Sequence, residues 1–213
     1  MTTEPTRIIA IRHGETSWNL DARIQGHLDI PLNDAGCRQA QKMADSLADE
    51  PITAVYASDL GRAWETAQYL GRSLNLQVDR QPGLRERCFG EFEGRTFAEV
   101  EREQPEQAGR WRKREPEYVP PGGESLLALR DRVLEAAQQL AARHPGELIA
   151  LVGHGGVMDV LYRAATRQDM QAPRTWSLSN TAINRLLWSP EGFSLVGWGD
   201  VRHLDDHALD ELQ

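Results

Sequence analysis

Cysteine, lysine and long apolar runs are all scarce in this 213-residue chain. Its two cysteines, Cys37 and Cys88, lie far apart and without CxxC spacing, which argues against a disulfide framework and a thiolate metal centre and fits a reduced, cytoplasmic setting. No apolar stretch approaches the ~20 residues needed to cross a bilayer. The first six residues lack the basic and apolar regions of a signal peptide, so a soluble, non-exported protein is expected. Of the 24 cationic residues only Lys42 and Lys113 are lysine, a chain-wide bias that reflects base composition and carries no functional information. Cations are outnumbered by 32 acidic residues, giving a net charge of −8, which argues against a non-specific nucleic-acid or anionic-membrane binder. An anionic ligand must be drawn in by local positive charge.

Short apolar runs alternate with longer segments of helical period, the pattern of a sheet flanked by helices. Strands are expected at 8–11, 53–57, from Gln77–Val78, at 148–152, and as a closing pair at 181–188 and 193–199 separated by Ser189-Pro190-Glu191-Gly192. Asn33, Ser58 and Ser125 are candidate N-caps, the second placing Arg62 in the first turn of its helix. The acidic end, 205–213, reads as a peripheral tail or short helix. Between Gly94 and Gly123 prolines and a run of Arg110, Arg112, Lys113 and Arg114 interrupt the scheme, which reads as an insertion over the active face. A single domain spanning 1–213 with a lid at about 95–121 is therefore expected.

The first strand ends in Arg12-His13-Gly14-Glu15 and the 148–152 strand in Gly153-His154-Gly155-Gly156. A neutral imidazole at such a strand end can attack phosphorus, arginine offers a planar fork to phosphate oxygens, and glycine admits close approach of an anion. If these strands and the 53–57 strand are parallel neighbours, Arg12, His13, Arg62 and His154 converge where open α/β sheets bind ligands. A carboxylic acid is needed to protonate the leaving oxygen. Glu86 is suited to that task, with Glu91 and Glu93 as rivals that residue chemistry does not exclude.

Taken in order, Arg12-His13-Gly14-Glu15-Thr16-Ser17-Trp18-Asn19, Ser58-Asp59-Leu60-Gly61-Arg62, Leu84-Arg85-Glu86 and Gly153-His154-Gly155 resemble the histidine phosphatase, or phosphoglycerate mutase-like, superfamily. The likeness runs from about Arg7 to His203. It is nearest to the small bacterial branch of probable phosphoglycerate mutases and broad-specificity phosphatases, through Arg23-Ile24-Gln25-Gly26 and His203-Leu204-Asp205. The resemblance implies a three-layer α/β fold with a mostly parallel central sheet. It implies His13 as the nucleophile that becomes phosphohistidine, Arg12, Arg62 and His154 as phosphate ligands, and Glu86 as proton donor. Gly14, Asn19, Gln25, Gly26 and Gly155 match or flank positions lining the substrate pocket. No metal or other cofactor is called for, and the expected ligand is a small phosphorylated metabolite bound by a monomer or homodimer.

His13 must be neutral to attack whereas His154 serves best as a cation, so a rate falling on both sides of a pH optimum is expected. True mutases of this family carry a lysine shortly after the glycine matching Gly94 and an arginine pair beyond it. Here Phe97 stands where the lysine would be and Trp111-Arg112-Lys113 keeps part of the pair, which favours a phosphatase over a phosphoglycerate mutase. A non-catalytic phospho-ligand-binding module is the remaining alternative. His203 and His207, four apart, lack a third metal ligand and read as surface residues; His27 reads as a loop residue, His144 as part of a helix stop, and Trp18, Trp64 and Trp111 as packing residues.

Overall fold

The computed structural model describes residues 4–205. A six-stranded sheet, β1 (Thr6–Arg12), β2 (Ile52–Ala57), β3 (Val78–Arg80), β4 (Leu148–Gly153), β5 (Ile183–Ser189) and β6 (Gly192–Asp200), has the order β3-β2-β4-β1-β5-β6. Strand β4 runs parallel to β1 on one side and to β2 on the other, β3 is parallel to β2, and the β5–β6 hairpin closes the far edge antiparallel. Three strands with chemistry at their carboxyl ends are thus immediate neighbours, with β4 in the middle.

The continuous apolar runs follow from burial on both faces. Ile8 and Ala10 of β1 join Ile149 and Leu151 of β4 in one core, covered by α6 (Leu126–Ala141) and α7 (Gly155–Thr166). Ile9 and Ile11 join Ala150 and Val152 in a second core, covered by α2 (Asp34–Ser46) and α3 (Gly61–Leu74). The result is the expected three-layer, mostly parallel α/β architecture. Asn33 and Ser125 cap α2 and α6 as read from the sequence, accepting from the N–H groups of Gly36 and Ala128.

Three boundaries differ from the sequence reading. Helix α3 is capped by Leu60 without a side-chain bond, because the Ser58 hydroxyl is turned to His154 instead. Strand β5 starts at Ile183 rather than Thr181, whose left-handed φ of 53° takes it off the ladder and whose N–H donates to the Arg12 carbonyl. Strand β3 begins at Val78. The candidate tail from 206 onward, with His207, lies outside the described residues.

Residues of the insertion form α4 (Phe97–Glu103) and α5 (Pro105–Arg112), which enclose a small core of Phe92, Val100, Ala108 and Tyr118. Its charge run is mostly paired: Arg110 with Glu115 at 2.7 Å and Arg112 with Glu101, while Arg114 turns inward to Asp159. Among the described residues no helix is long and apolar enough to cross a membrane.

Candidate active site

The register of the sheet sets the site. The N–H of His13 donates to the Gly153 carbonyl and that of Ser58 to the Val152 carbonyl, both at 2.9 Å, so the loops leaving β1 and β2 are hung on the end of β4. His13 and His154 stand with ring centroids 5.2 Å apart, tilted 58°. The ring of His13 is buried, and its Nδ1 lies 2.7 Å from the Gly14 carbonyl. A carbonyl only accepts, so Nδ1 carries the proton and the lone pair belongs to Nε2. Asn180 holds the backbone from the other side, donating to the His13 carbonyl at 2.8 Å.

His154 is oriented by Ser58. The Ser58 oxygen accepts from the Leu60 N–H and lies 2.8 Å from Nε2 of His154, a hydrogen bond that fixes the orientation of the ring with either partner as donor. Nδ1 of His154 is buried without a partner among the described residues, as are Nε of Arg12 and Nε of Arg62. Both arginines are fixed from behind: Arg12 donates to the Leu178 carbonyl, and Arg62 to the carbonyls of Leu28 and Gly26 at 2.9 and 2.8 Å. Two buried guanidinium N–H groups lacking acceptors, with an unpartnered nitrogen of His154 beside them, match the needs of a tetrahedral oxyanion.

Glu86 completes the group. Its carboxylate accepts from the Gly156 N–H at the start of α7 (3.0 and 3.1 Å) and from the Arg87 N–H (2.8 Å). A Cβ on Gly156 would stand 2.2 Å from Oε1 of Glu86, so the carboxylate occupies the space a side chain would take. The Glu86 backbone is pinned by His27, whose Nε2 donates to its carbonyl at 2.8 Å, and by Arg132, which donates to the Gly83 and Arg85 carbonyls. The two rivals are placed otherwise: Glu93 accepts from the N–H groups of His27 and Phe89, and Glu91 is exposed.

The remaining expected pocket residues divide. Gly155 abuts Arg12 and Glu86, and Gln25 is buried with Oε1 unpartnered among the described residues. Gly26, at φ +51°, acts through Arg62 and leaves no room for a Cβ beside Glu93. Asn19 closes a capping box with Thr16 on α1 (Ser17–Leu20). Gly14 differs from its expected part: its N–H donates to Thr66, so it is not offered to an anion. It must be glycine because the Gly36 carbonyl lies 2.5 Å from where a Cβ would be.

Beyond Arg12 and Glu86 opens a cavity of about 350 Å³, whose wall includes Arg87, Phe89, Trp111, Arg114, Asp159 and Arg174. None of these was singled out as a ligand in the sequence, and Trp111, read as a packing residue, does both tasks by stacking on Phe92 while facing the cavity. Phe97 packs edge-on against Trp111 at 5.3 Å and is not part of that wall. Among the described residues no group of three His, Cys, Asp or Glu is placed to hold a metal ion.

Burial, reinforced by the Arg12 and Arg62 charges, pushes the pKa of His13 well below the ordinary histidine value; burial and Arg62 do the same to His154. For His154 this direction runs against the expectation of a cation: without an anion in the site, burial and the arginine charges favour the neutral form of both rings. Because the unfolded chain binds protons below about pH 6.5 that the folded site refuses, stability falls as pH drops from there, by up to about 1.4 kcal/mol per pH unit for each histidine. Urea unfolding between pH 7.5 and 5.5 should show a shallower slope for His154→Asn than for wild type; parallel slopes would refute a neutral His154.

The family profile described as "Histidine phosphatase superfamily (branch 1)" matches residues 8–201. "Phosphoglycerate mutase-like protein 4" of Arabidopsis thaliana is 41% identical over 203 residues, covering 93% of this chain and 87% of the relative. "Metal-independent phosphoserine phosphatase" of the same plant is 36% identical over 205 residues, covering 95% and 84%. Among solved structures, "Bacillus stearothermophilus YhfR" superposes with a TM-score of 0.87 at 30% identity, covering 94% of this chain and 100% of that one.

Proposed function

The chain belongs to the histidine phosphatase superfamily, and from that premise we propose that it is a phosphomonoester hydrolase working through a phosphohistidine on His13. The observation that carries the reading is the His13 ring, neutral, with Nδ1 committed to the Gly14 carbonyl and a lone pair on Nε2. That nitrogen attacks phosphorus and the ester oxygen leaves with a proton from Glu86. Water then attacks the phosphohistidine, with Glu86 taking its proton, and inorganic phosphate departs. Arg12, Arg62 and His154 take the non-bridging oxygens, where the charge of the transition state is spread. Residues 95–121 act as a lid. The cavity lies at the small end of the range for ligand pockets, which suits a metabolite rather than a phosphoprotein.

A second reading, phosphoglycerate mutase, is favoured by one observation. The cation missing at Phe97 is not the sole candidate for gripping a second anionic group, since Arg87, Arg114 and Arg174 line the cavity from other segments. The mutase name of one relative and the phosphatase name of another sit on the same fold. Wild-type enzyme treated with chelator should hydrolyse p-nitrophenyl phosphate and release phosphate from small metabolites. In a coupled assay it should not interconvert 3- and 2-phosphoglycerate at a comparable rate when 2,3-bisphosphoglycerate is added. Interconversion faster than hydrolysis would replace the first reading by the second.

A further inference from the structure

Residues 167–182 lie in no helix or strand, yet the far end of this segment grips the nucleophile loop at three points. The Leu178 carbonyl accepts from the Arg12 guanidinium, Asn180 donates to the His13 carbonyl at 2.8 Å, and the Thr181 N–H donates to the Arg12 carbonyl at 2.9 Å. A stretch without ladder hydrogen bonds has many conformations to lose, so side chains from elsewhere must hold it in one. Most of that holding falls to Arg163 on α7. It is almost wholly buried, and its fork donates to the Asp169 carbonyl and, at 2.9 Å, to the Ala172 carbonyl. Its guanidinium lies 4.8 Å from the centre of the Trp176 ring, which stacks in turn on Tyr162. Trp198 of β6 adds a bond from Nε1 to the Ser177 carbonyl at 3.0 Å.

Arg163 stands behind the cavity wall and is not part of it, so it acts on a ligand only through other residues. Its charge is met by Asp159, one turn earlier on the same helix and 3.1 Å from Nε, and that carboxylate also accepts from Arg114 at 2.7 Å. A buried ion pair adds little net stability over an apolar pair of similar size, because both charges have been taken out of water. What a forked cation adds is direction: a carboxylate on α7 and two carbonyls of the segment are held in fixed relation. Helix α7 is also the one whose Gly156 N–H holds Glu86. Resting on the hydrolase reading above for what Arg12 grips, we infer that Arg163 is a positioning residue. By fastening 169–172 to α7 it sets the place of the Leu178 carbonyl, and through that carbonyl the aim of the Arg12 guanidinium at the phosphate.

Calorimetric titration with inorganic phosphate reads the clamp whether or not a substrate is turned over. Arg163→Met, which leaves Asp159 paired with Arg114, should weaken phosphate binding about tenfold. It should lower kcat/KM by a like factor on p-nitrophenyl phosphate and on alkyl phosphates, since Arg12 serves every ester alike. In an Arg12→Gln background the same Arg163→Met change should cost less than about twofold, as befits a residue acting through Arg12. Leu140→Ala, in the core at the end of α6, should lower the urea midpoint at least as much as Arg163→Met while leaving phosphate affinity within about twofold, which separates a loosened fold from a lost aim. If Arg163→Met does not fold, Trp198→Phe, which removes the bond to Ser177, should weaken phosphate binding about two- to threefold, with kcat/KM following. Unchanged phosphate affinity in the folded variants, an equal loss with and without Arg12, or an equal loss in Leu140→Ala would each overturn the inference, and hydrolysis by wild type would then leave the hydrolase reading standing alone. The expected affinities without any hydrolysis by wild type would remove that reading and keep Arg163 as the residue that aims Arg12. Failure of wild type to bind phosphate would remove both.

Discussion

Replacing His13 by alanine should abolish turnover, lowering kcat at least about 10³-fold on every phosphomonoester, because no other neutral nitrogen in the site is presented as a nucleophile. His154, the neighbouring ring, has its Nε2 committed to Ser58 and is held by that bond away from the attacking position proposed for His13. The loss should come with little change in phosphate affinity, since Arg12, Arg62 and His154 are anchored to carbonyls and to Ser58 independently of the His13 ring. Rapid acid-free quenching with labelled substrate should trap one base-stable, acid-labile phosphate per chain in wild type and none in His13→Ala. Label retained in the variant, or a loss of less than tenfold in a protein that still unfolds cooperatively, would defeat the assignment.

The second large effect concerns Glu86, and it should depend on the leaving group. Glutamine in its place can still accept from the Gly156 N–H that now holds the carboxylate, so the loop geometry survives while the transferable proton is lost. General acid catalysis contributes about 10²–10⁴-fold where the leaving oxygen is basic. Glu86→Gln should accordingly slow alkyl phosphates by that order and p-nitrophenyl phosphate by less than about tenfold, since nitrophenolate departs without help. A plot of log kcat/KM against leaving-group pKa should steepen in the variant. Equal slopes in wild type and variant would count against a proton-donor role and reopen the case for Glu93, whose carboxylate now braces the His27 and Phe89 N–H groups.

What the sequence made legible follows from how local each signal is. The runs at β1 and β4 are continuous because both faces of those strands are buried, and Arg12, His13 and His154 are legible as the polar residues that break the runs. Arg62 could be placed because one turn of helix follows a strand. The lowered pKa of His154 was not legible, because it comes from burial beside Arg62, which no local pattern of residues shows. Ser58 was misassigned because a serine before a helix carries the same local signature whether its hydroxyl caps that helix or, as here, reaches a histidine 96 residues away. The cavity wall was illegible for the same reason: Arg87, Arg114, Asp159 and Arg174 come from four segments with no shared pattern, and Asp159 looks like any polar residue on a helix until Arg114 arrives from the insertion. Phe97, noted for the cation missing there, packs on Trp111 behind the cavity wall, a placement that no local pattern shows.

Because the loops after β1 and β2 are both hung on the last carbonyls of β4, the proposed phosphoryl-transfer apparatus is indexed to a single strand, while the insertion adds Trp111 and Arg114 to the cavity wall. The insertion therefore has a freedom that 178–180 lacks, since Asn180 holds the His13 carbonyl and Leu178 holds Arg12. A lineage could exchange the insertion repeatedly, trading one alcohol portion for another, without disturbing the nucleophile. Chimeras that graft the insertion between relatives should move substrate preference with the graft and leave the chemistry with the strand.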